Sequence, residues 1–188
     1  MKKSLIAFAI ASTLSVSALA ADTYTIDARH TFPSFEVSHL GFSIQRGRFN
    51  KTSGTIVLDT ADQSGSIDIN IDASSIDTGL AELEKHMQGE DFFDTAKYPA
   101  ITFKSKSLRF DGDRLTGADG DFTLLGVTKP VRLKVDQFKC GRHPMTKVAM
   151  CGGNATTVIK RSEFGMTKYV PAVGDEVKIA IQVEFFRD

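Results

Sequence analysis

Histidine and cysteine are the side chains most able to bind metals, move protons or form crosslinks near neutral pH, and this chain has few of either. The four histidines, His30, His39, His86 and His143, never fall in an H-E-x-x-H or H-x-H arrangement, so no single helix or strand presents two metal ligands. A metal centre would have to be assembled across the fold, and none is expected. Asp68-Ile69-Asn70-Ile71-Asp72 matches the start of a calcium loop, but Ala73 stands where a glycine must turn the chain and Gly79 where a glutamate must close the shell. The polar face of a strand accounts for those residues instead. There is no G-x-S-x-G elbow, neither cysteine has the surroundings of a nucleophile, and the scattered carboxylates form no acid/base pair. No catalytic residue and no cofactor is assigned. His39, at the end of an alternating apolar segment, and His86, in a helical one, are the two histidines best placed to matter.

The compartment sets the chemistry of the two cysteines. Residues 1–20 open with Lys2 and Lys3, continue through an apolar run from Leu5 to Ile10 and end in Ala18-Leu19-Ala20, the pattern of a secretory signal peptide. The apolar run is too short for a membrane span, and Ala21 stands where a lipid-anchored protein needs cysteine, so no stable membrane anchor is expected. Cleavage leaves residues 21–188 as one domain. In an oxidising exported compartment, Cys140 and Cys151 close a short loop as a disulfide, the alternatives being two free thiols or a bond formed only under stress. The whole chain has 23 Lys+Arg and 23 Asp+Glu, and removal of the two N-terminal lysines leaves a net charge of about −2, which excludes nucleic acid as a natural partner.

The elements that must position any site are mostly strands. Ile67, Ile69 and Ile71 alternate with polar residues, as do Phe35, Val37 and His39, and the series Val177, Ile179, Ile181, Val183 and Phe185 has the same period of two. Further strands are expected around 43–50, 53–59, 99–110, 114–125, 131–139 and 154–162, with turns at 62–65, 111–113, 126–130 and 173–175. About eight strands with short connections predict an all-β, antiparallel barrel or sandwich. One segment breaks the period: Leu80, Leu83 and Met87 predict a helix between Thr78 and Gly89, a plug or lid over one barrel end, and residues 90–94 a further turn.

Phenylalanine is over-used, with 14 residues, all but Phe8 beyond the signal, against 3 Tyr and no Trp. Phe supplies apolar bulk without a hydrogen bond. An eight-stranded barrel can spend that bulk on filling its interior or on lining a cavity for one small ligand, and composition does not separate the two.

The order of several segments resembles the YceI-like family of exported bacterial lipocalin-like proteins over essentially all of residues 21–188. The segments are Tyr24–His30 with Phe35–Gly41, Gly47-Arg48-Phe49 with Gly54-Thr55-Ile56, Ser75–Gly79, His86-Met87, Asp91–Asp94, Lys97–Ser105, Leu115–Gly117, Gly126–Val131, Arg161–Met166 and Val173–Val177. The chain departs from the family in having Leu83-Glu84-Lys85 where an Arg-Asp pair is usual, Glu163 where Asp is usual, and the Cys140/Cys151 loop. The resemblance implies an extended, lipocalin-like antiparallel barrel that binds a long amphiphile such as a polyprenyl compound or isoprenoid quinone in the periplasm, without catalysis. On alternation and the matched motifs together, Phe35, Val37, Phe42, Phe49, Phe92, Phe93, Phe103, Phe122, Leu124 and Phe164 are expected to form the wall. His39, Arg48, Lys85 and His86 are expected near a polar headgroup at the mouth. One chain or a homodimer could enclose the ligand. Two competing readings remain: a secreted enzyme acting on a lipid or ester with His39 or His86 as base, and a filled-core β interaction module.

Overall fold

Alternation at period two demands a sheet that buries one face along its whole length, and closing that sheet on itself satisfies the demand without leaving an edge. The computed structural model describes residues 21–188, and the expected signal peptide, residues 1–20, lies outside the described residues. The strands are β1 (Asp22–Ile26), β2 (Phe32–His39), β3 (Ser43–Phe49), β4 (Thr52–Asp59), β5 (Ser64–Asp72), β6 (Ile76–Asp77), β7 (Ala100–Asp111), β8 (Arg114–Leu124), β9 (Val127–Arg142), β10 (Ala149–Lys160) and β11 (Val173–Arg187), with one helix, α1 (Ala81–Met87). All pairings are antiparallel. Three pairs of short strands are successive pieces of one course: β1 and β2 lie end to end along β11, β3 and β4 run beside them, and β5 and β6 follow. Counted by course, the result is a closed eight-stranded meander, the expected lipocalin-like architecture.

The break between β1 and β2 is where that course turns a corner, and side chains replace the missing ladder. The Asp27 backbone N–H donates to the Glu184 carbonyl at 2.9 Å. The Thr31 hydroxyl both donates to the Glu184 carbonyl at 3.2 Å and accepts from its N–H at 3.1 Å. Asp27 itself is buried, with one carboxylate oxygen accepting from the Arg29 backbone and guanidinium and the other 2.8 Å from His30 Nδ1. Burial pushes its carboxyl upward, but the hydrogen bonds from His30 and Arg29 outweigh that and hold it at about 2.

Three stretches differ from expectation, and in the first of them the turn expected at 173–175 is instead the start of β11, whose pairing with β2 shifts register between Val173 and Val177. The helix covers Ala81–Met87 rather than the whole of 78–89, because the Glu84 carboxylate accepts from the Thr78 and Gly79 backbone N–H groups and keeps that stretch as a loop. The turn expected at 126–130 contracts to Leu125 and Gly126, both at positive φ, as a two-residue hairpin connection requires, so β9 begins at Val127. Pro130 therefore sits within a strand. It is tolerated because β10 pairs with β9 only from Lys134 onward, leaving the Pro130 edge without a partner that needs its N–H.

Two apolar clusters pack the barrel ends. Tyr24, Ile26, Ile56, Leu58, Cys151 and Phe185 close one end, while Phe49, Ile71, Ile76, Phe93, Ile101 and Phe164 lie toward the end that carries α1. The closed end is stapled by the expected Cys140–Cys151 disulfide, which joins directly opposed residues of β9 and β10.

Reduction of this bond, or the paired change of Cys140 and Cys151 to Ala, is expected to lower unfolding free energy by about 3 kcal/mol in urea titrations, the value for closing so short a loop. The depressed Asp27 value stabilises the fold above the ordinary carboxylate range and ceases to do so as the pH falls through about 2. Asp27→Asn should accordingly cost about 2 kcal/mol at pH 6, with the gap to the parent protein closing as the pH drops from about 4 toward 2.

Candidate functional site

The barrel holds a cavity of about 530 Å³ whose surface is almost wholly apolar. Its wall is the inward-facing half of the strand alternation: Ile67, Ile69 and Ile71 from β5, Val131, Leu133 and Val135 from β9, and Val177, Ile179, Ile181, Val183 and Phe185 from β11. Two glycines make room for the aromatic lining. A Cβ on Gly47 would lie 2.5 Å from the Phe35 ring, and one on Gly120 would lie 2.7 Å from the Phe103 ring and closer still to the Lys104 carbonyl oxygen, so neither position has room for a side chain. Phe103 is directly opposite Phe122 in the β7–β8 ladder.

The mouth is built by three segments. The β2–β3 hairpin contributes His39, Gln45 and Arg46; α1 contributes Leu83, His86 and Met87; and the loop 165–172 contributes Met166 and Tyr169. Rings meet here in two series, Phe35–Phe49–Phe93 and His86–Phe92–Tyr169, with successive centroids 5.1 to 6.2 Å apart.

Arg161 holds the third segment in place. Its buried guanidinium donates to the carbonyls of Gly174, Met166, Lys168 and Val173 at 2.8 to 2.9 Å, gathering the loop around one side chain. Burial pushes the group down from the ordinary arginine value, with the Asp175 carboxylate partly opposing. Asp175 accepts in turn from the Ser162 backbone N–H and hydroxyl at 2.9 and 2.8 Å, which fixes the start of the same loop. The polar groups at the wall are mostly satisfied within the protein: Thr31 by Glu184, and Arg161 by four carbonyls. Among the described residues, Thr52 Oγ1 is the buried side-chain atom without a hydrogen-bond partner.

Of the residues expected from the sequence, Phe35, Val37, His39, Phe49, His86, Phe92, Phe93, Phe103, Phe122 and Leu124 line the cavity. Four others are not brought to it. Phe42 falls in the β2–β3 turn before the strand alternation resumes, and is 91% exposed. Arg48 follows Gly47 and precedes the inward Phe49, so it points out of the barrel, where it lies over the Phe32 ring at 4.7 Å and beside Asp77 at 3.5 Å. Lys85 is exposed on the side of α1 away from Leu83, His86 and Met87. Phe164 lies in a short 3₁₀ turn after β10 and packs edge-on against Phe122, behind the lining. Sequence reasoning missed Leu83, Met87, Tyr169 and the inward sets of β5, β9 and β11. The signal for the strand sets was present, since β5 and β11 had the correct period; what was missing was any ground for favouring aliphatic over aromatic lining.

A YceI-like domain profile matches residues 24–185. The chain is similar to Protein YceI of Escherichia coli O157:H7, at 39% identity over 98% of this chain and 97% of that one, and to Protein YceI of Salmonella arizonae at 37% over the same shares. Among solved structures it is similar to BcnA of Burkholderia cenocepacia, with a TM-score of 0.71 and 26% identity over 85% of this chain and 98% of that one. A polyisoprenoid binding domain from Saccharophagus degradans, implicated in plant cell wall breakdown, shares the fold with a TM-score of 0.64 and 20% identity over 88% of this chain and 98% of that one.

Arg161→Gln should strand several buried carbonyls and cost about 3 kcal/mol or more in urea unfolding. Hydrogen exchange should accelerate at residues 165–174 while β1 and β4 keep their protection; uniform exchange along the chain would remove Arg161 from its role as the loop's anchor.

Proposed function

This chain belongs to the YceI-like family, and from that premise we propose that it is an exported, non-enzymatic carrier whose barrel takes up the hydrocarbon chain of an isoprenoid-type lipid, a polyprenyl compound or an isoprenoid quinone. The observation that carries this reading is the cavity: about 530 Å³ of nearly continuous apolar surface, within the span of small-molecule sites and open at one end. Burial of each CH2 contributes roughly 0.8 kcal/mol, so ten contribute about 8, while association itself costs a comparable amount. Only a long chain is retained on those terms. A short acid or ester would not be.

A binder is favoured over a catalyst by the state of the polar groups. Thr31 and Arg161 spend their hydrogen bonds inside the protein, and the two histidines on the lining, His39 and His86, are both exposed at the mouth with no carboxylate paired to either among the described residues. That position suits them to the polar end of an amphiphile whose tail lies below. Residues 1–20 supply the export route, and the Cys140–Cys151 bond agrees with an oxidising destination such as the periplasm. No helix among the described residues is long and apolar enough to cross a membrane.

Protein exported by cells and purified without detergent should yield a stoichiometric long-chain amphiphile by native mass spectrometry and organic extraction. Leu133→Trp, which places a bulky ring in the cavity, should reduce that bound fraction by about tenfold or more while leaving a folded barrel. Because the chain has no Trp of its own, the same variant reports folding through its emission. Lipid-free protein from lipid-replete cells, or full occupancy in the folded Trp variant, would overturn the reading.

A further inference from the structure

Nine large apolar side chains are exposed among the described residues, and six of them stand at one end of the barrel. Leu40, Phe42 and Ile44 occupy the β2–β3 hairpin tip, Leu80 precedes α1, and Tyr169 and Val170 lie in the loop held by Arg161. Each is close in sequence to a residue that lines the cavity: Leu40 follows His39, Ile44 precedes Gln45, Leu80 lies between Thr78 and Leu83, and Tyr169 itself lines it. The hairpin tip and the Arg161 loop are tied together, since the Leu40 N–H donates to the Ala172 carbonyl at 2.7 Å. Three separate segments thus carry an apolar rim around a single opening, continuous with the apolar wall inside.

We infer that this rim is a docking surface for a phospholipid bilayer, seating the cavity mouth against the acyl region so that an amphiphile passes between membrane and barrel without crossing water. The inference rests on the carrier reading for the cargo and adds the surface from which the cargo is collected or to which it is delivered. Four features favour a bilayer over a protein partner. The apolar groups project from separate tips around a hole, whereas a protein interface needs a continuous complementary face of about 800 Å² on each side. Phe42 stands almost free of its own protein, as an inserting side chain does. Beside the rim, exposed Lys85 has no ion-pair partner among the described residues and is free to meet a headgroup phosphate, whereas Arg46 and Lys168 are paired with Glu36 and Asp91. Tyr169, half exposed with its ring on Phe92, has the amphipathic character that favours an interface.

The test is flotation of the exported protein with phosphatidylethanolamine–phosphatidylglycerol vesicles. A triple variant, Leu40→Asn, Phe42→Asp and Leu80→Asp, removes the rim with little risk to folding. Leu40 has a positive φ that asparagine adopts readily, Phe42 packs on nothing, and Leu80 is a helix N-cap lacking the side-chain bond that Asp supplies. Met145→Asp, at a highly exposed site on the β9–β10 tip at the opposite end, is the control. The expected result is that the parent protein and Met145→Asp float while the triple variant partitions about tenfold less or lower, yet still carries extractable amphiphile when expressed in cells. A parent protein that stays unbound, or a triple variant that floats equally, overturns the proposal. So does a concentration-dependent dimer that the triple variant abolishes in the absence of flotation, which would assign the rim to a second copy of the chain. Cargo present without flotation refutes the docking surface alone; flotation without cargo refutes the carrier reading alone.

Discussion

The molecule depends on β11 serving two partners along one edge. A meander of strands leaves its first and last members with unpaired backbone groups, and such edges bind water or other chains. Here the last strand is long enough to pair with β2 over Val173–Gln182 and with β1 over Phe185–Arg187, so the edge disappears and the interior is sealed from solvent along every strand. The price of that arrangement is a corner at residues 27–31, where no ladder can run. Thr31 and Asp27 supply the hydrogen bonds the corner lacks, and both are buried for that reason.

Closure makes the two ends unequal. The end that holds the chain's described termini is packed with Tyr24, Ile56, Leu58 and Phe185 and crosslinked by Cys140–Cys151. The other end is covered by pieces that are not sheet at all: a helix of seven residues and a loop gathered on Arg161. Those pieces are held by a few polar bonds rather than by a continuous ladder, with Glu84 fixing the approach to α1 and Asp175 fixing the start of the loop. An apolar interior that opens only where its cover is weakest is suited to a ligand that enters lengthwise.

Much of the barrel was legible because a period of two has one structural meaning when it recurs in so many segments. The alternation in 67–71 and 177–185 led to strands whose apolar residues face inward, and the isoleucines of Asp68–Asp72 proved to be cavity wall, which is why that stretch resembles a calcium loop only in its letters. The site was less legible, and the errors share a cause. Phe42 and Phe164 have the composition of wall residues, but each lies just outside a strand, where alternation no longer determines direction. Arg48 and Lys85 are cations near the mouth in sequence, yet one follows the outward phase of β3 and the other the outer side of α1. Tyr169 carries no periodic signal, since only the carbonyls collected by Arg161 bring it over the opening.

Sequence alone determined the quantities that depend on neighbouring residues: strand period, turn chemistry, the helical interruption, the cysteine pair and the excess of phenylalanine. Those are local because side-chain direction along a strand repeats every two residues, whatever the strand pairs with. Tertiary structure decided whether the barrel interior is filled or hollow, which end opens, and which apolar residues are left outside. These depend on how volumes from eight strand courses meet at the axis, on a glycine lying beside a distant phenylalanine, and on a loop closing over a buried guanidinium. All are contacts between residues far apart in the chain, and no local pattern records them.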